Sequence, residues 1–125
     1  MGFFETGFLA NLARVTSAKT RSISAENPDG SKGGGAKHVP SPEHPSATLG
    51  TGWKCRPSID LAPNATTTLA RIEGPGTIRH IWMTVAEVAY RNCILKMYWD
   101  DEKTPSVEVP FGDFFGCGHA IRVKI

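Results

Sequence analysis

The chain has 125 residues, 40% of them hydrophobic, and a formal net charge of +2 from 14 basic and 12 acidic side chains. That length holds one domain, and the near-balanced charge leaves no footprint for nucleic acid or an anionic membrane surface. Apolar runs stay well short of the roughly 18–20 residues of a membrane-spanning helix.

The N-terminus, "MGFFETGFLANLARV", places Phe4, Phe8 and Leu12 at helical spacing. This predicts a short amphipathic helix within 1–16. Glu5 interrupts the apolar stretch and no basic segment precedes it, which argues against a secretory signal. Cys55, Cys93 and Cys117 are odd in number and far apart. They read as reduced thiols in a cytoplasmic compartment, not as a disulfide framework.

Over 17–57 the composition turns to Gly, Pro, Ser and charge, with few large apolar residues and no lasting period. A structureless stretch of this length is either functional or disordered. From 58 onward the signal is β. "TTTLARI" is β-branched and ends at Gly74-Pro75-Gly76, "TIRHIWMTV" follows, and "NCILKMYW" alternates, with Cys93, Leu95, Met97 and Trp99 on one face. "DDEKTP" is a polar hairpin-like loop before the short strand "SVEV". The expected fold class is all-β: a partial jelly roll or sandwich of antiparallel strands, with a short N-terminal helix and a long irregular loop. A sandwich takes about seven or eight strands, so residues 1–125 read as a single incomplete domain.

Several stretches are candidates for chemistry. "RSISAENPDGSKGGG" lacks the Gly-Lys-Ser/Thr order of a phosphate loop. It does concentrate Arg21, Ser22, Ser24, Glu26, Asn27 and Lys32 on backbone that glycine lets approach a ligand closely, a mixture suited to sugar hydroxyls or, equally, to a solvated loop. Cys117 and His119 are the one close pair among the four histidines and three cysteines, which is not zinc spacing, so no metal is expected. Ser24, His80 and Asp113 lack the elbow motif of a catalytic triad. His80 and Trp82 share a strand face, as a sugar-stacking platform or as a core pair. Gly112-Asp113-Phe114-Phe115-Gly116 sets one carboxylate between aromatics and glycines, either a recognition loop or a turn with its phenylalanines packed inside.

The segments "RSISAEN…KGGG", "GPGTIRHIWMT" and "LKMYWDDEKTPSVEVPFGDFFGCGH", in that order, resemble the N-terminal part of glycoside hydrolase family 172, over about Lys19 to His119. The resemblance implies jelly-roll domains in a longer chain that assembles into homo-oligomers. It also implies retaining hydrolysis of fructofuranosides or related furanosides by two glutamates, with no cofactor. Those glutamates lie downstream of the Gly-Asp-Phe-Phe-Gly segment in the family, so no catalytic residue is assigned here, and Glu26, Glu73, Glu87 and Glu108 do not inherit the role. The carbohydrate-binding residues it implies are Glu26, Asn27 and Asp113 as hydroxyl partners, with Trp82 and Phe114 as walls.

After His119 the chain reads "AIRVKI", where the family continues differently. The expectation is therefore an N-terminal portion of a furanoside hydrolase, inactive alone. The alternatives are a small non-catalytic carbohydrate-binding or assembly module, and complementation by a separate second half.

Overall fold

The alternation of "NCILKMYW" is realised as β1 (Ile94–Met97), which pairs antiparallel with β2 (Val107–Pro110). The register sets Ile94 against Pro110, Leu95 against Val109, Lys96 against Glu108 and Met97 against Val107. Leu95 is buried while its neighbours Ile94 and Lys96 face solvent, the period-two pattern of a half-covered strand. Lys96 Nζ meets Glu108 Oε1 directly across the pair at 2.9 Å, and that hydrogen bond raises the Lys96 pKa.

The computed structural model describes residues 15–121. The helix expected within 1–16 and the tail beyond 121 lie outside them. The chain divides into two units, Met1–Gly74 and Pro75–Ile125.

In the second unit, the connection between the strands turns at Asp100 and Asp101, both at positive φ (48° and 60°). The Glu102 N–H donates to the Trp99 carbonyl at 3.0 Å. This is the mirror-image turn that suits a right-twisted hairpin, and aspartate tolerates it better than most residues. Glu102 then fastens the loop from inside. Its Oε1 accepts from the Trp99 N–H (2.9 Å), the Ser106 N–H (3.2 Å) and the Ser106 hydroxyl (2.6 Å). Those bonds, the Ser106 hydroxyl foremost, lower the Glu102 pKa.

One helical turn precedes the hairpin and another follows it: α1 (Ala89–Asn92) and α2 (Phe111–Phe114). The Phe111 N–H donates to the Cys93 carbonyl at 2.8 Å, so α2 starts pinned to the residue before β1. Phe111 is buried, as is Leu95.

Among the described residues of the first unit, the chain is irregular apart from a 3-10 turn at Ala47–Leu49, and the buried apolar residue is Cys55. Its organising feature is the loop after Arg21. Ser24 and Asn27 exchange both backbone hydrogen bonds (3.1 and 3.0 Å), closing a tight turn.

These observations correct the expected fold class. Among the described residues there is one two-stranded sheet, with short helical turns, and no jelly roll or sandwich. Segments 66–72 and 77–85 form no strand, and among the described residues no backbone hydrogen bond reaches them. β-branched composition makes a segment compatible with a sheet, but a strand exists only where a partner supplies its ladder. Both segments lie almost wholly exposed, with Trp82 at 71%.

Candidate functional site

The loop of the first unit is wrapped around one side-chain amide. Asn27 Nδ2 donates to the Ser22 and Ser31 carbonyls, both at 3.1 Å, and its Oδ1 accepts from the Ser31 hydroxyl at 3.1 Å. Both of its N–H groups are thus committed to the loop, and the residue is only 8% exposed. Gly34 makes this arrangement possible. A Cβ there would collide with Asn27 Oδ1 and stand 2.5 Å from Ser31 Oγ. The backbone reverses at Gly30 and Gly33, at φ of 66° and 69°, where glycine bears no steric penalty. Gly34 therefore seats a side chain of its own chain, while Gly33 and Gly35 have nothing within 4 Å of where a Cβ would be.

Glu26, beside Asn27, reaches across the loop. Its Oε1 accepts from the Cys55 N–H at 2.6 Å and the Arg56 N–H at 2.7 Å. The Arg56 bond is the largest cause holding this carboxyl below its usual pKa. Cys55 is anchored in turn, its thiol 3.5 Å from the His38 carbonyl. Asp29 accepts from the Ser31 N–H at 3.0 Å, and its pKa is lowered chiefly by that bond.

Two hollows flank the loop. One of about 520 Å³ is lined by Pro28, Asp29, Arg71 and Glu73, within the volume range of small-molecule sites (about 300–1,000 Å³). Carboxylates there accept and a guanidinium donates, which matches the dual hydrogen bonding of sugar hydroxyls. The other, of about 250 Å³, lies over Asn27 and the glycine run.

In the second unit the Gly-Asp-Phe-Phe-Gly segment is a helical turn with a defined stop. The Cys117 N–H donates to the Gly112 carbonyl at 2.8 Å and the Gly116 N–H to the Asp113 carbonyl at 3.1 Å. With Gly116 at φ 79°, this is a Schellman cap, which glycine at the left-handed position makes inexpensive. The first glycine serves a different end. A Cβ on Gly112 would stand 2.8 Å from Tyr90 Cβ, so α1 and α2 approach only because it is absent. Asp113 Oδ2 takes Arg91 Nη1 at 2.5 Å. Its other oxygen, Oδ1, is shut off from solvent without a partner. Phe111 and Phe114 each stand with their ring centroid 5.0 Å from that of Phe115, tilted at 48° and edge-on at 83° respectively.

The structure thus places Glu26 and Asn27 side by side in the first unit, and Asp113 next to Phe114 on α2 in the second. Trp82 stands on the unpaired segment 77–85 with its indole exposed. Asp29 and Arg71 carry no role in the sequence reading, and Glu73 enters it only as a glutamate outside the catalytic pair. Nothing in their spacing announces that the chain returns Arg71 and Glu73 to Asp29. Among the described residues no three of His, Cys, Asp and Glu gather as metal ligands, and no helix is long and apolar enough to cross a membrane.

A family model described as GH172 domain-like matches residues 54–122, more than half of the chain. The chain belongs to that family. No curated protein and no solved structure matches it. The GH172 match takes in the hairpin, α1, α2, Trp82 and Asp113, together with Cys55 and Arg56, the two residues whose amides Glu26 holds. The Glu26–Asn27 loop lies before the matched residues and is tied to their first positions through that carboxylate. At the level of the family, the match points to glycoside hydrolases, with carbohydrate as the substrate class.

Proposed function

We propose that this chain supplies carbohydrate recognition to a GH172 furanoside hydrolase, and that its own described carboxylates do not form the cleaving pair. The observation that carries the reading is how Glu26, Glu102, Glu108 and Asp113 are employed. Glu26 is committed to two backbone amides, Glu102 to its hairpin loop, Glu108 to Lys96 and Asp113 to Arg91. Retaining hydrolysis uses two carboxyls about 5–5.5 Å apart, one of them an acid whose pKa is raised. Glu26, Asp29 and Glu102 are shifted the opposite way, towards the ionised form.

The sugar site in this reading is the hollow of Asp29, Arg71 and Glu73. Glu26 stands behind it as a positioning residue that ties the loop to Cys55 and Arg56. Asp29 Oδ1 is engaged by Ser31, which leaves its other oxygen to accept from a hydroxyl while Arg71 donates.

The test is one titration read in two ways. The whole chain is titrated with an aryl fructofuranoside and an aryl arabinofuranoside, following amide chemical shifts and release of the phenol together. Saturable shifts at Asp29, Arg71 and Glu73 without phenol release are the expected result. Phenol release by the purified chain contradicts the non-catalytic assignment. The absence of any saturable shift contradicts recognition.

A further inference from the structure

The smaller hollow has an electrostatic character unlike its neighbour. Arg21 and Lys32 both line it, and neither Glu26 nor Asp29 does. Among the described residues neither cation makes an ion pair. Arg21 spends one guanidinium N–H on the Thr20 carbonyl at 2.9 Å, leaving four of its five donors for another partner. The floor is set by Asn27, whose bonds to Ser22 and Ser31 hold the loop in this shape without drawing on either cation. At Gly33 and Gly35 nothing stands within 4 Å of where a Cβ would be, so the rim is open backbone that a ligand can reach.

Two unpaired cations on one concavity repel each other, and a shared anion relieves that repulsion. The arginine fork suits two oxygens of one group, and the lysine adds a point charge. We propose that this hollow is an oxyanion site, taking the phosphate, sulfate or carboxylate of a small ligand through Arg21 and Lys32. With about 250 Å³ and two charges, it fits a single anionic group and not the track of phosphates that a nucleic acid presents. Its lining shares no residue with the neutral-sugar hollow beside Arg71, so binding at one can be tested apart from binding at the other.

Inorganic phosphate and glucuronate are each titrated into the whole chain at constant ionic strength, by calorimetry with amide shifts as a second readout. The expected result is one saturable site with shifts at Arg21 and Lys32. Binding of phosphate assigns a tetrahedral anion, and binding of glucuronate alone assigns a carboxylate. Arg21→Gln and Lys32→Gln should each weaken binding about tenfold, the loss of one charge-assisted hydrogen bond. Both side chains are exposed, and near-UV circular dichroism confirms the fold of each variant. Gly35→Val adds bulk at the rim without altering charge and should weaken binding as well, whereas Lys37→Gln, outside the hollow, should not. No saturable binding of either anion, or equal weakening by Lys37→Gln, would overturn the proposal.

Discussion

Gly34 lies inside a run of three glycines and Gly112 between Phe111 and Asp113, and the two regions use them for different kinds of packing. At Gly34 the missing Cβ makes room for Asn27 Oδ1 and the Ser31 hydroxyl, so the space is filled by hydrogen-bonding atoms. At Gly112 it makes room for the root of the Tyr90 side chain, whose Cβ would stand 2.8 Å from one added there, so the space is filled by the approach of α1. The first region is a polar loop held by one buried amide. The second is a hairpin with two helical turns, held by Leu95 and Phe111. The difference teaches where each region is vulnerable. Apolar packing fails when volume is lost, and a polar loop fails when a buried partner is left unpaired.

The largest effect should come from Phe111→Ala, which empties the buried position at the start of α2 and is expected to destabilise the second unit by about 3–5 kcal/mol. Denaturant melts followed by tryptophan fluorescence would report it. If Phe111→Ala costs less than 1 kcal/mol, the apolar description of this region is wrong.

Asn27→Ala should come next. It removes the side-chain donor of the Ser22 and Ser31 carbonyls, at a cost of about 0.5–1.5 kcal/mol for each hydrogen bond lost. Gly34→Ala should be of similar size, since it over-packs the same spot from the other side. A double-mutant cycle sharpens this pair. Once Asn27 is alanine, the Cβ at 34 no longer meets Oδ1, so the two changes should be strongly non-additive. Additivity would mean that they act on separate things.

Arg91→Ala should cost only about 0–1 kcal/mol, the usual value for a partly exposed ion pair. Its side chain is 46% exposed and that of Asp113 is 29% exposed. A larger loss would move the anchoring of α2 from Phe111 to the ion pair.

The smallest effect is a pH dependence at Glu26. Its folded pKa lies below the ordinary carboxyl value of 4.5. Its contribution is therefore fully present above about pH 4.5 and is lost as pH falls through the lower folded value. The Cys55 and Arg56 amide shifts should follow that titration, and Glu26→Gln should abolish it.

The hairpin was legible in the sequence because alternation over 93–99 and the polar run after Trp99 are local signals, and local signals suffice when both partners are near in the chain. Segments 66–72 and 77–85 carried the same composition without a partner in reach, which is why the expected sandwich did not form. The Gly-Asp-Phe-Phe-Gly segment read as a loop because a single turn is too short to show helical period. Asn27 read as a ligand-facing amide, and the structure buries it. Polarity is written in the residue, whereas burial depends on where Ser22, Ser31 and Gly34 come to lie. The hollow beside Asp29 was illegible for the same reason, since Arg71 and Glu73 reach it only through the folded path of the chain.

Native-state hydrogen exchange on the whole chain and on Asn27→Ala tests most directly whether one amide organises the loop that frames both hollows. The Gly30 and Gly34 amides, bonded to the Asn27 and Ser31 carbonyls, should lose protection in the variant, while the Phe111 and Cys117 amides keep theirs. Unchanged protection at Gly30 and Gly34 would contradict the account.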